Sequence, residues 1–419
     1  EAANLQLVLD EVFGATNFVT QIIWQKRVSP ANDAKWFSSD HDQIFVYAKN
    51  KEKWRPNKLE RTASQLSYYK NPDNDPKGAW NSATYTCNKS KDERPNLYYP
   101  IVNPNTGEEV WPKETAVWKY GKDVTDKYLV EGKLYWGANG RSTSPRVKLY
   151  LSEMDNVVPR TVWSSEEAGS TQSATAELKK LFGGKGVFDS PKPVKLLERI
   201  LEVSCSTSDD IVMDFFGGSG TTAHAAMKRA AIGKAGPFIL VQISEEAKKG
   251  EYTNISDVTR ERLLRAGKEL LDEFGEEVDI GFRKLNITTS NMENVYYKPD
   301  ATNQADMFAQ VQNIKEDRTD EDLLFQVLLD WGVGLTLPIS KQQISSKDVF
   351  FVNADDTGEG VDLIACFASD ISNELIKTIA EKQPLRVVFR DDGFATDAVK
   401  INVEQIFKQI SPITDVKSI

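Results

Sequence analysis

A chain of 419 residues, 40% of them hydrophobic and 27% charged, is that of a globular protein of two or three domains, and no apolar run in it approaches the roughly 20 residues that a membrane span requires. Two histidines, His41 and His224, and three scattered cysteines, Cys87, Cys205 and Cys366, exclude a disulfide framework, leave little material for a zinc site or a Ser-His-Asp triad, and point to a reducing, cytoplasmic setting. The formal net charge of -10 argues against a uniformly basic nucleic-acid binder, so any such contact must come from a local patch.

The chain opens in an amphipathic helix carrying Leu5, Leu7, Val8, Val12 and Phe13. Strands follow at 18–24 and 43–48, rich in β-branched and aromatic residues, with the polar loop QKRVSPANDAKWFSSDHD between them. From 51 to 175 the texture turns to short runs rich in Trp, Tyr, Lys, Asn and Pro, such as NPDNDPKGAWNS and KLYWGANGRSTSPR, which predicts an inserted domain of turns and short strands. Regular α/β texture returns over 176–280, with helices at 176–182 and 194–205 and a strand at 238–243. A helix after Asn254 places Val258, Leu263, Leu264, Leu270 and Leu271 at helical spacing, with Ser256 as its expected N-cap. A separate unit begins near 281. In it Leu323, Leu324, Val327, Leu328 and Trp331 form one helical face, and 348–353, 361–367 and 385–389 read as buried strands.

Between the helix at 194–205 and the strand at 238–243 lies IVMDFFGGSGTTAHAAMKR. This apolar strand ends in an acid, turns on glycines and enters a helix, the shape that delivers a small ligand to a helix N-terminus. A P-loop would need Lys and then Ser or Thr at its end, and Gly220 is followed by Thr221, so that reading fails. The segment from Gly218 to Ala223 fits the dinucleotide pattern G-x-G-x-x-A. That fingerprint expects an acid at the end of the next strand, where this chain has Gln242. The third reading is S-adenosylmethionine. Asp214 would meet the ligand's ammonium group, and Phe215, Phe216, Gly217, Gly218, Ser219 and Gly220 would bring backbone to its amino-acid portion. Thr222 is expected to join them in the cofactor site, and Gln242 would hydrogen-bond the ribose.

DFFGGSGTTAHA closely resembles the cofactor motif of amino-group DNA methyltransferases, D-x-F-x-G-S-G-T-T, and FDSPKPVKLLERIL resembles the Pro-Lys-Pro motif of the same enzymes. The order, Pro-Lys-Pro helix before glycine loop, is similar to the permuted class that places its catalytic motif first. Within that class SPANDAKWFSSDHDQIFVYAKN, PRTVWSSEEAGSTQSATAELKKLFG and the stretches LIACF and PLRVVFRD resemble the modification subunit of Type III restriction–modification systems, along nearly the whole chain. The resemblance implies an α/β fold. It consists of a Rossmann-like S-adenosylmethionine-dependent methyltransferase core over 1–50 and 176–280, incomplete at its N-terminus, an inserted β-rich target-recognition domain over 51–175, and a C-terminal α/β domain over 281–419 for dimerisation and partner docking. It also implies methyl transfer to the N6 amine of adenine in a short asymmetric site of double-stranded DNA, by a homodimer working with a restriction (Res) subunit. Phe188, Asp189, Ser190, Lys192 and Pro193 are then expected near the amino-acid end of the cofactor.

The chemistry of the residues agrees with an amine target. C5-methylation of cytosine would need a nucleophilic Cys, typically after Pro, and none of the three cysteines follows a proline. An exocyclic amine needs an acceptor that orients it and an aromatic ring to stack on the extruded base. Contact with DNA is expected from the stretch 118–148, where Lys119, Lys122, Lys133, Arg141, Arg146 and Lys148 interleave with Tyr135 and Trp136, and from Lys26 and Arg27. His224 reads as a helix-face residue and His41 as structural. Competing readings are an NAD-dependent oxidoreductase built on residues 218–223 and a non-catalytic DNA-binding scaffold. Enzymes resembling this one carry an Asp-Pro-Pro-Tyr tetrad, and these 419 residues contain no Pro-Pro dipeptide. The expectation is therefore an N-terminally incomplete protein, inactive in methyl transfer as it stands.

Overall fold

The computed structural model describes residues 2–234, 236–293, 314–355 and 360–419, and the chain divides into two compact units, Glu1–Phe282 and Arg283–Ile419. Both are mixed α/β. In the first unit, strand Phe18–Gln25 pairs antiparallel with His41–Tyr47 and, at Ile23 and Trp24, parallel with the short strand Val162–Trp163. Ile22, Trp24 and Trp163 point from this sheet into a core shared with Leu59, Ala168, Leu196 and Val203. The Trp24 indole donates to the carbonyl of Gly169 at 2.9 Å. The helix Ala2–Phe13 forms as expected, yet none of its residues is buried. Its apolar positions Leu5, Leu7, Val8 and Val12 stay exposed, and the Phe13 ring meets that of Tyr47 at 5.8 Å.

The segment read as an inserted domain contains a three-stranded antiparallel sheet, Trp80–Thr84, Arg146–Tyr150 and Leu134–Tyr135, with Arg146–Tyr150 central. Beside it lie the hairpin Ile101–Val102 with Glu109–Val110 and a core of Tyr85, Trp118, Trp136 and Val147. A nine-residue helix, Lys122–Val130, starts at Gly121 where the texture suggests only strands and turns. Its composition is too polar to show an apolar period, but Thr125 is buried and its hydroxyl meets those of Tyr85 at 2.6 Å and Tyr99 at 2.7 Å.

The remaining strands of this unit form a parallel pair, Val212–Asp214 with Phe238–Leu240. The pair is covered by the helix Val194–Ser204, through Val194 and Leu201, and by the helix Thr221–Ala230, through Ala225 and Ala226. The long helix Ile255–Phe274 packs Leu263 and Leu270 on Ala223 and Met227. It begins at Asn254, whose N–H donates to Asp257 at 3.3 Å. Ser256, the expected cap, already lies inside the first turn. Among the described residues Val212–Asp214 has Phe238–Leu240 as its one strand neighbour. No strand pairs with its other edge among the described residues, and Ile211, Met213, Phe215 and Phe216, in and around this strand, are exposed.

The second unit is built on a five-stranded sheet in the order Ile339–Ile344, Lys347–Val352, Leu363–Cys366, Arg386–Phe389, Asp415–Ser418, antiparallel in its first two pairings and parallel in its last two. The helices Asn373–Ala380 and Asp397–Ile410 cover one face through Leu375, Ile376, Ile379, Val403 and Phe407. The helix Asp320–Asp330 covers the other through Leu323, Leu324, Val327 and Leu328. Four central residues of the sheet, Leu363, Ile364, Ala365 and Cys366, are fully buried, as a strand covered on both faces requires.

Candidate functional site

The strand Val212–Asp214 ends in a carboxylate whose two oxygens are engaged by the turn that follows. Oδ1 accepts the Phe216 N–H at 3.0 Å and Oδ2 accepts the Thr222 hydroxyl at 2.5 Å. The glycine turn is fastened from several sides. The Gly217 N–H donates to the carbonyl of Val241 at 2.9 Å, the Gly218 N–H to Gln242 Oε1 at 2.7 Å, and the Thr259 hydroxyl to the Gly218 carbonyl at 2.6 Å. Gly218 and Gly220 have φ of 51° and 77°, the left-handed region that favours glycine. A Cβ on Gly220 would also lie 2.9 Å from Thr259 Cγ2. Helix Thr221–Ala230 then begins without a side-chain cap on its first N–H groups.

Phe188 meets this loop, its Cζ 3.7 Å from where a Cβ on Gly218 would stand. It also lines a cavity of about 150 Å³ with Asp189, Ser190 and Lys249, and Asp189 pairs with Lys249 at 2.5 Å. Ser190 takes a positive φ of 51° as the chain turns toward Pro193, the residue that precedes helix Val194–Ser204. A larger cleft of about 530 Å³ opens along Met213, Asp214, Phe215, Phe216 and Thr222, and the Phe216 ring is 82% exposed in it. Thus Asp214, Gly217, Gly218, Thr222, Gln242 and Phe188 converge on one loop. Lys192 does not join them: it bonds Asp42 Oδ2 at 2.8 Å and lies 5.0 Å from the centre of the Trp24 ring. Ser219 is buried below the loop.

Two residues beneath the loop, and a third beside Lys192, carry no sequence signal. Thr259 and Arg262 lie one turn apart on helix Ile255–Phe274, and Asp42 lies on strand His41–Tyr47. Arg262 is fully buried, and burial lowers its guanidinium pKa to about 10. His224, on helix Thr221–Ala230, is buried against it. Burial first, then the charges of Arg262 and Lys228, lower its pKa to about 3, so its imidazole is neutral. His41 is exposed at the start of its strand.

The basic stretch separates into two groups. Lys119, Lys122, Arg141 and Arg146 are exposed. Lys122 pairs with Asp126 at 3.2 Å, and Arg146 bonds Ser82 through Nε at 2.8 Å. The others turn inward. Lys148, expected as a phosphate contact, is buried between Asp73 at 2.5 Å and Asp75 at 2.6 Å. Burial pulls its pKa down, but the two carboxylates outweigh that and the net shift is upward. Lys133 pairs with Glu153 at 2.9 Å. Trp136 is in the core, and the Tyr135 ring packs on Trp80 at 4.9 Å. Lys148 and Trp136 therefore stabilise this segment and present neither charge nor ring to a ligand. Lys26 is half-buried and pairs with Asp42 at 2.8 Å, whereas Arg27 is exposed.

Residues 1–252 match the family model of the DNA methylases. The chain is similar to the Mod subunit of the Type III restriction-modification enzyme StyLTI of Salmonella typhimurium, 31% identical over 70% of this chain and 45% of the relative. It is similar to the EcoPI Mod subunit of Escherichia phage P1, 27% identical over 95% of this chain and 63% of the relative. It is also similar to the Type II methyltransferase M.KpnI of Klebsiella pneumoniae, 29% identical over 63% of this chain and 66% of that one. The chain spans about half the length of the first Mod subunits it matches.

Proposed function

The chain belongs to the DNA methylase family, and from that premise we propose that its first unit binds S-adenosylmethionine on the Asp214–Gly220 loop and serves DNA adenine N6-methylation as part of a Type III modification subunit. The observation that carries the reading is the pairing of Asp214, at the C-terminal end of one strand, with Gln242, at the end of the next, across a glycine turn that both side chains fasten. This donor and acceptor set suits an amino-acid-bearing nucleoside. The Asp214 oxygens, each with a lone pair left beyond its one bond, accept from an ammonium group, and glycines admit close backbone approach. The Gln242 side chain, its oxygen on Gly218 and its nitrogen 3.2 Å from the carbonyl of Ile243, would meet the ribose hydroxyls. Phe188 closes the amino-acid end. The cofactor, when bound, supplies an electrophilic methyl group. This chain's residues would hold it at the strand ends, beside the cleft that the exposed Phe216 lines.

We assign 1–50 and 176–280 to a Rossmann-like core and 51–175 to target recognition of double-stranded DNA, with Lys119, Lys122, Arg141, Arg146 and Arg27 among the exposed cations for phosphates. Residues 281–419 are assigned to homodimer formation or docking of a Res subunit. An Asp-Pro-Pro-Tyr tetrad is not among the 419 residues, so the chain's own share is cofactor and DNA binding without methyl transfer. Calorimetric titration tests this. S-adenosylhomocysteine should bind 1:1 and NADH should not, DNA affinity should fall steeply with salt, and the chain alone should transfer no labelled methyl to DNA. NADH binding without S-adenosylhomocysteine binding would favour the oxidoreductase reading, and salt-dependent DNA affinity with no nucleoside bound would leave a scaffold.

A further inference from the structure

Among the described residues Arg262 is the one fully buried guanidinium. A buried cation is costly unless its donors are satisfied. Here the acceptors are oxygens of the glycine loop. Nη1 donates to the Thr221 hydroxyl at 2.7 Å and to the Ser219 hydroxyl at 3.0 Å, and stands 3.5 Å from the Ser219 carbonyl. Nε faces Nδ1 of His224 at 3.5 Å, which can accept only while that ring is neutral. One turn earlier on the same helix, Thr259 bonds the Gly218 carbonyl and its methyl fills the space beneath Gly220. Residues 259 and 262, at i and i+3, therefore grip three consecutive loop residues and the first residue of the helix from below.

We propose that Arg262 is a positioning residue for the cofactor loop, clamping Ser219 and Thr221 from beneath so that the loop holds its ligand-ready shape before the ligand arrives. His224 sets the orientation of the guanidinium, and Thr259 supplies the second point of the clamp. Pre-ordering of this kind raises affinity by removing the cost of ordering the loop on binding. It also makes the affinity of a site on residues 214–222 depend on a side chain some forty positions downstream that never touches the ligand. The dependence on S-adenosylmethionine rests on the function proposed above; the ordering of the loop does not.

The test compares the wild-type chain with Arg262→Met, Arg262→Lys and Thr221→Val. Amide hydrogen exchange over 215–222 is measured without ligand, with the strand Phe18–Gln25 of the same unit as the internal reference for intact folding. Arg262→Met and Thr221→Val should each speed loop exchange about tenfold or more and weaken S-adenosylhomocysteine binding about tenfold, the scale of losing a charged hydrogen bond. Arg262→Lys, which can still donate to Thr221, should recover part of both losses. The double variant Arg262→Met/Thr221→Val should lose little beyond Arg262→Met alone, because the bond that Thr221→Val removes is one of those that Arg262→Met also removes. Should Arg262→Met fail to fold, Thr221→Val and Arg262→Lys carry the test. Wild-type loop exchange in both Thr221→Val and Arg262→Lys, or a lysine variant no better than the methionine one, overturns the proposal. A wild-type chain that binds no S-adenosylhomocysteine overturns the cofactor reading instead, and loop exchange still decides the role of Arg262.

Discussion

Lys192 and Asp42, 150 positions apart, meet at 2.8 Å and so tie the Pro-Lys-Pro turn to the strand His41–Tyr47. Asp42 holds Lys26 through its other oxygen, also at 2.8 Å. Burial pushes the Asp42 carboxyl pKa up, but the bonds and charges of Lys192 and Lys26 outweigh it, and the net shift is downward. A lowered carboxylate pKa stabilises the fold above the unfolded-state pKa of about 4, and that contribution fades as pH falls below it. Asp42→Asn is expected to loosen the turn that carries Phe188 and Asp189 and to weaken S-adenosylhomocysteine binding about three- to tenfold, the range for a partly exposed ion pair. Titration of the variant at pH 7 checks this, and Asp42→Glu should recover part of the loss.

Gly220 and Gly132 allow a controlled comparison. Both have positive φ, 77° and 66°, but a Cβ on Gly220 meets Thr259 at 2.9 Å while one on Gly132 meets nothing within 4 Å. Gly132→Ala should cost only the left-handed strain, about 1 kcal/mol, and leave ligand affinity alone. Gly220→Ala should cost about 2 kcal/mol or more and reduce S-adenosylhomocysteine affinity. Urea unfolding and calorimetry on the two variants separate strain from the steric clash.

His224 gives a pH dependence with a definite sign. Its folded pKa of about 3 lies below the unfolded value of about 6.5, so the unfolded chain binds a proton in this window that the folded chain does not. Stability should be unaffected by this group above pH 6.5. Below it the loss should approach about 1.4 kcal/mol per pH unit. Arg262 and Lys228, the cations that face it, act in the same direction. His224→Gln should flatten the fall in denaturant midpoint between pH 6.5 and 5 by about one proton's worth.

Among the basic residues, burial separates two outcomes. Lys148→Met leaves Asp73 and Asp75 without the ammonium between them, and the carboxyl of Asp75, now lowered to about 2, loses its cationic partner and keeps the Tyr150 hydroxyl and the Lys77 N–H. The expected cost is about 3 kcal/mol of stability for the first unit. Arg141→Ala and Arg146→Ala should unfold like wild type, and each should lower the salt slope of DNA binding by about one. A destabilised Arg141→Ala, or a Lys148→Met chain of wild-type stability, would contradict this division.

The sequence is most readable where one residue type answers one physical demand. The strands at 18–25 and 386–389 announce themselves through β-branched and aromatic runs, and the glycines at 218 and 220 sit where positive φ is needed. Helix Lys122–Val130 is hidden because it is short, polar and anchored by one buried threonine. The cap at Asn254 and the expected one at Ser256 differ by two positions, and both residue types cap well, so local chemistry cannot choose between them. Thr259, Arg262 and Asp42 are invisible in one dimension because each works on a partner far away in the chain. Lys148 shows the same limit from the other side: it alternates correctly for a strand, but Asp73 and Asp75, which neutralise it, lie more than seventy positions upstream.

The second edge of strand Val212–Asp214 bears on how the molecule behaves at high concentration. A three-residue ladder whose other edge pairs with no strand among the described residues, with Ile211, Met213, Phe215 and Phe216 exposed in and around it, is a template on which a strand from another chain can add. Crowded preparations should therefore lose monomers through the very sheet that presents Asp214, and ligand capacity should fall as scattered light rises. A charge placed on that edge, as in Met213→Lys, should keep the solution clear.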